Sequence, residues 1–320
     1  MDEDGNASMR PVRRETLMRW VPPAVWGIGT LAMVAFAGVP TSRDAIYLWL
    51  GIGMAAFSAT DLRRRLPRLV VDWLPLVSIL FVYDFLRGFA DGLLFHAREM
   101  PQIQLERAIF GRPVPTVWLQ NHLWHGVDHL RWWDYASYLV YITHFVATPV
   151  IAAVLWLFFH DRFARYASMV CILAVTGFAT YVLYPAVPPW MASQDGAIGP
   201  TARTVGLIWR QIPISHYSSL FENGQHYANN VAAMPSLHAA YALLATLFLW
   251  QIVPRWAKPI LALYPFAMAF ALVYTGEHYV VDCVAGWAYA IFAYGAVNAL
   301  WEWRAAKARR APELEAAFAD

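Results

Sequence analysis

What this chain can fold into is limited first by eight apolar runs, at about 22–39, 45–59, 70–88, 136–159, 166–184, 236–253, 258–275 and 279–300. Most are close to the roughly 20 residues that a helix needs to cross a bilayer core, where every backbone N–H and C=O must be satisfied internally. Composition agrees: 59% of the residues are hydrophobic and only 14% are charged, against roughly 25% charged in a soluble domain. The expected fold class is all-α, a polytopic membrane helix bundle of about eight transmembrane helices with a six-helix catalytic core. The expected divisions are 1–69, an N-terminal cytoplasmic segment and two transmembrane helices; 70–300, a six-helix membrane domain; and 301–320, a cytoplasmic tail. The basic N-terminus lacks a clear small-residue cleavage site, so the first run is expected to be a signal anchor.

Arginine placement predicts the orientation, because short loops rich in Lys and Arg stay cytoplasmic. Arg10, Arg13, Arg14, Arg19, Arg63, Arg64, Arg65, Arg68, Arg162, Arg165, Arg255, Lys258, Arg304, Lys307, Arg309 and Arg310 all fall on one side of an eight-span arrangement. The other side has fewer basic residues, on much longer loops. Both termini are therefore expected in the cytoplasm of a multi-pass cell-membrane protein. The net charge of +2 says little about partners, and no nucleic-acid partner is expected. Cys171 and Cys283 both lie inside apolar runs and read as buried small hydrophobes.

Two polar motifs interrupt this pattern. In Gly276-Glu277-His278-Tyr279-Val280-Val281-Asp282 a histidine and an aspartate stand four residues apart. On a helix those side chains share a face, so Asp282 is expected to accept a hydrogen bond from one ring nitrogen of His278 and leave the other lone pair outward. A histidine oriented in this way is a nucleophile or a base. Asp282 at a membrane span also requires a partner or a function. The second motif, Met234-Pro235-Ser236-Leu237-His238, reads as a helix start, with Pro235 in the first turn and exposed amides from Ser236 onward that suit an anion. His238 in that turn stands where it can protonate a leaving oxygen. The predicted orientation carries His238 and His278 to the same non-cytoplasmic boundary.

These motifs resemble the membrane-bound phosphatidic acid phosphatase type 2 superfamily, and within it the inositolphosphotransferase branch that includes the fungal inositol phosphorylceramide synthases. The resemblance covers roughly residues 70–300. It is supported by Tyr83-Asp84-Phe85-Leu86-Arg87-Gly88, Tyr141-Ile142-Thr143-His144-Phe145 and Tyr184-Pro185-Ala186-Val187-Pro188-Pro189-Trp190. It implies a phosphotransferase-like membrane domain that acts on a phospholipid through a phosphohistidine on His278. Asp282 is then the orienting partner and His238 the general acid, with no metal and no cofactor. The implied partners are a phospholipid substrate and a lipid or polyol acceptor. Transfer of a phosphoinositol-type head group is the first reading, and a lipid phosphate phosphatase with water as acceptor is the second. A transporter using a His-Asp proton relay is more distant.

The sequence departs from the superfamily's usual pattern in carrying Leu237 where glycine is common, Leu272 six before His278 where arginine is usual, and no lysine on the catalytic face. Substrate binding is therefore assigned to Ser236 and, as first candidate for the phosphate grip, to Arg87, with Arg203 and Arg210 after it. His122, His125 and His129 beside Asp128 have a spacing that suits a metal only if they are helical. Nearby tryptophans make an interfacial segment the better reading of that stretch. His144 reads as a buried histidine within reach of the same cavity.

Overall fold

Each of the eight apolar runs lies on a helix. A computed structural model describes residues 9–40, 42–89, 95–213 and 230–317, with side chains described for 19–40, 42, 44–82, 95–213 and 230–310. The long helices are α1 Met9–Ala37, α2 Arg43–Phe57 and α3 Leu62–Phe89, followed after a gap by α4 Met100–Phe110 and α5 Pro115–Leu123. Then come α6 Trp132–Phe158, α7 His160–Leu183, the short α8 Pro189–Gln194 and α9 Thr204–Gln211. The chain closes with α10 Leu237–Leu249, α11 Lys258–Tyr274 and α12 Val280–Ala317. Among the described residues there is no strand, only isolated bridges that join Ala186 to Arg98 and Ala232.

Among the described residues, five helical stretches are long and apolar enough to cross a membrane: Arg19–Ala37, Trp132–Phe158, His160–Leu183, Arg255–Tyr274 and Val280–Arg310. Helices α2 and α10 are apolar but shorter. For α10 the length is explained by position. It packs against α6, α7, α11 and α12 and its first residues are mostly buried, so its start is shielded by protein and does not have to reach the edge of the bilayer core. By contrast α1 packs against α2 and leaves Ile28, Leu31 and Phe36 more than two-thirds exposed. An outward face of that kind suits lipid, not water. Helix α12 runs unbroken past residue 300 to Ala317, so the charged tail continues a membrane helix.

Helices in lipid gain little from hydrophobic sequestration and associate through close packing of small residues. Helix α10 provides them: Ala239, Ala240, Ala242 and Ala245 are all buried. The tightest approach is to α12, where a Cβ placed on Gly286 would sit 2.2 Å from the Ser236 carbonyl oxygen. Leu237 leans on α7, where a Cβ on Gly177 would come within 2.7 Å of its Cδ2. The leucine that replaces the usual motif glycine is thus accommodated by a glycine on the neighbouring helix.

Gly286→Ala must push backbone against backbone, an overpacking worth about 1–3 kcal/mol. Thermal unfolding of the detergent-solubilised variant is expected several degrees below wild type. Gly27→Ala, whose added Cβ meets nothing within 4 Å, should be neutral or slightly stabilising, because alanine favours helix. Equal melting of Gly286→Ala and wild type would contradict the close approach.

Candidate active site

Ser236 begins α10 as its N-cap, with its side-chain oxygen 3.3 Å from the Ala239 N–H that it accepts. Pro235 therefore precedes the cap, one position outside the first turn expected for it. Ser236 is fully buried; its hydroxyl holds the helix start together instead of facing a ligand. Its own N–H donates to the Asp282 carbonyl at 2.9 Å, and this ties the two motifs together by their backbones.

His278 lies ahead of α12, which starts at Val280, so the expected i to i+4 helical geometry is altered. Its Nδ1 is 2.9 Å from the Ala233 carbonyl oxygen and 3.8 Å from Asp282 Oδ2. The hydrogen bond expected to Asp282 goes to a backbone carbonyl. A carbonyl only accepts, so Nδ1 carries the proton and the Nε2 lone pair is left open. That Nε2 is 3.4 Å from His238 Nδ1. Asp282 remains close enough to stabilise positive charge on the ring. Its Oδ2 accepts the Tyr279 N–H at 2.9 Å, which is half of a capping box at the start of α12.

His238 is stacked on Tyr141, with ring centroids 5.2 Å apart, and lies 3.9 Å from His144. His144 thus belongs to the cluster. On the other side, Arg203 forks onto Glu277, with Nε to Oε1 at 2.8 Å and Nη2 to Oε2 at 3.2 Å. Its guanidinium also lies 5.2 Å from the Trp190 ring centroid. Burial works against the Arg203 charge, but Glu277 more than offsets it and holds the group above its ordinary range. Arg87 lies on α3, and its side chain is outside the described residues, as is the stretch around Glu222–His226.

The loop carrying Arg203 is fixed by a residue that sequence reasoning missed. The Gln120 amide donates to the carbonyls of Ala202 and Tyr274, both at 2.8 Å, and accepts the Ala202 N–H at 2.8 Å. One side chain thereby ties α5 to the Arg203 loop and to the end of α11. Gly276 follows with φ of 79°, and a Cβ there would meet the Ala202 carbonyl oxygen at 2.7 Å. Leu272, in the place of the superfamily's usual arginine, is fully buried; its carbonyl accepts the N–H of Glu277 at 3.0 Å.

His122 is exposed, with Nδ1 2.7 Å from the Trp118 carbonyl and its ring stacked on that tryptophan. Among the described residues no three of His, Cys, Asp and Glu are grouped to hold a metal ion.

Two histidines with facing ring nitrogens, a carboxylate behind one of them and a fixed arginine beside them make an arrangement suited to phosphoryl chemistry. Residues 115–296, more than half of the sequence, match the PAP2 superfamily. The chain belongs to the PAP2 superfamily. A phosphoinositol dihydroceramide synthase of Bacteroides thetaiotaomicron is 26% identical over 287 residues, covering 86% of this chain and 89% of that protein. The inositol phosphorylceramide synthase catalytic subunit of Saccharomyces cerevisiae is 30% identical over 181 residues, 52% of this chain and 42% of that one. For the inositol phosphorylceramide synthase of Candida albicans the identity is 26% over 167 residues, 50% and 34% of the two chains. This chain thus aligns with less than half the length of each fungal relative. No solved structure matches it.

One further group shapes this PAP2 site. Glu106, on α4, is fully buried, and its Oε1 accepts the Val281 N–H at 3.0 Å. Two carboxylates, Glu106 and Asp282, therefore occupy the amides at the start of α12. Burial pushes the Glu106 carboxyl up to about 7; the Val281 bond opposes this and the neighbouring Asp282 reinforces it.

A carboxyl raised from 4.5 to about 7 keeps its proton longer in the folded state, so stability falls as pH rises through that window and stays reduced above it. Glu106→Gln retains an oxygen for Val281 and cannot ionise. Its melting temperature should exceed that of wild type at pH of about 8 and depend less on pH between about 5 and 8. A slope identical to wild type would remove Glu106 from this account.

Proposed function

We propose that the chain transfers a phosphoinositol-type head group from a phospholipid to a lipid hydroxyl, by way of a phosphohistidine on His278. The observation that carries this reading is the bond from His278 Nδ1 to the Ala233 carbonyl, which leaves Nε2 as the attacking atom, beside His238. The relatives' names supply the substrate class, phosphoinositol and ceramide.

In the first step the Nε2 lone pair attacks phosphorus, the bond from phosphorus to the lipid oxygen breaks, and protonated His238 gives its proton to that oxygen. Asp282 and the Ala233 carbonyl stabilise the imidazolium. In the second step neutral His238 takes a proton from the acceptor hydroxyl, whose oxygen attacks phosphorus and releases His278. Arg203, pre-oriented by Glu277 and Trp190, is assigned the phosphate grip in preference to Arg87, because a fixed guanidinium stabilises developing charge without reorganising. This scheme assigns no step to a metal.

The orientation expected from the basic residues places this site at the non-cytoplasmic boundary, with both termini in the cytoplasm. A small crevice of about 30 Å³ runs beside His144, lined by Tyr47, Leu80, Phe145, Pro149 and Tyr241. Its apolar lining suits an acceptor that arrives from the bilayer.

Purified protein incubated with labelled phosphatidylinositol and ceramide is expected to move the label to the ceramide product, read by lipid mass spectrometry. Release of labelled inositol phosphate into water at the same rate, with or without ceramide, would establish the phosphatase reading instead. His278→Ala should lose at least about 10⁴-fold in turnover, as loss of a covalent nucleophile does, while remaining folded in the membrane. Arg203→Lys keeps charge but loses the fork, and is expected to lower kcat/KM by about 10- to 100-fold. Turnover should survive strong chelation of divalent ions; loss that zinc restores would overturn the metal-free scheme.

A further inference from the structure

At the end of the bundle far from the histidines, a second cavity of about 200 Å³ opens between the start of α7, the end of α10 and the middle of α12. Asn298 follows Asp282 along α12 by about 24 Å of helix rise, so this cavity is separate from the site described above. Its polar lining is Arg162, Arg165, Gln251, Tyr294 and Asn298, over an apolar floor that includes Phe248.

The lining is built rather than incidental. Arg165 Nε donates to Asn298 Oδ1 at 2.9 Å, and Gln251 Nε2 donates to the Tyr294 hydroxyl at 2.8 Å. These bonds join α7 to α12 and α10 to α12. They also hold a half-buried guanidinium at the cavity wall through one nitrogen, by a neutral partner. No carboxylate lines the cavity, and among the described residues neither arginine forms an ion pair. Arg165 is half-buried and Arg162 exposed; two guanidinium groups lining one recess with no acid repel each other, a cost that a bound anion removes. The volume holds a phosphate together with several waters at roughly 30 Å³ each. Amide and phenol groups beside the arginines can bond head-group hydroxyls, and the apolar floor suits a glycerol backbone.

We propose that this cavity binds the phosphate of an anionic phospholipid as a non-substrate ligand, from the leaflet opposite the one that serves the catalytic site. The assignment to that leaflet rests on the orientation given above; the phosphate site does not. Because α10 carries His238 and α12 carries Asp282, the bound lipid clamps the far end of α10 to the middle of α12, two helices whose near ends form the active site.

The test is thermal unfolding of the full-length protein in phosphatidylcholine nanodiscs, titrated with phosphatidylglycerol in one arm and inorganic phosphate in the other. Phosphatidylglycerol is expected to raise the melting temperature and inorganic phosphate at equal concentration is not. The double variant Arg162→Gln/Arg165→Gln should require at least about tenfold more lipid for the same shift, as expected when charge-assisted phosphate contacts are lost. Arg162→Gln alone, which leaves the Arg165–Asn298 bond in place, should weaken the lipid effect in the same direction. It keeps the test valid if the double variant fails to fold. Equal protection of wild type and Arg162→Gln would overturn the site. Protection by inorganic phosphate matching that by lipid would overturn the lipid assignment. Neither readout uses turnover, so failure here is distinguishable from failure of the proposed reaction.

Discussion

The backbone bond from Ser236 to the Asp282 carbonyl is the constraint on which the rest depends. It joins the start of α10 to the first turn of α12 at 2.9 Å, and Gly286 keeps the space beneath the Ser236 carbonyl free of a Cβ. With those two backbones fixed, His238 in the first turn of α10 and His278 just before α12 fall opposite each other. The alanine face of α10 then admits α6 and α7, and α6 brings Tyr141 and His144 onto His238. A bulkier residue at position 286 would separate the histidines as well as the helices.

Around that contact the polar groups are held by secondary-structure ends more than by one another. Asp282 and Glu106 both take amides at the start of α12, where the helix dipole favours negative charge. Glu277 and Arg203 hold each other through a two-nitrogen fork. His278 is oriented by a carbonyl, which only accepts and so selects the Nδ1–H tautomer of the neutral ring. The Asp282 carboxylate is left as a nearby countercharge. This division separates orienting the imidazole from stabilising its positive form.

Much of this was legible in the sequence. That each of the eight apolar runs is helical followed from hydropathy, because an apolar run in a membrane has few alternatives. His238, His278 and Asp282 stood out because polar groups at the ends of apolar runs are costly without a role. The rest was not visible. The Ala233 carbonyl that orients His278 belongs to the backbone and leaves no trace in residue type. Gln120, Glu106 and Arg203 act across separations of 82, 175 and 74 residues, with no periodicity to link them to their partners. Leu237 and Gly177 are complementary in size, yet only the packing of α7 on α10 pairs them. Asp282 was placed on a helical face with His278, but its first duty is to cap the helix, which shifts the histidine outside it.

Under the proposed reaction, the choice between water and a lipid hydroxyl as acceptor depends on what reaches a phosphorylated His278. The histidine is only 5% exposed, and the crevice beside His144 is walled mostly by aromatic and aliphatic side chains. A transferase has to keep its intermediate from water long enough for the second substrate to arrive, and exclusion of water also strengthens the Arg203 and imidazolium electrostatics. A phosphatase has the opposite need, an open aqueous path to phosphorus. If His278 is the nucleophile, its near closure and the apolar crevice beside His144 favour an acceptor that dissolves in the bilayer, and this physical preference points in the same direction as the names of the relatives.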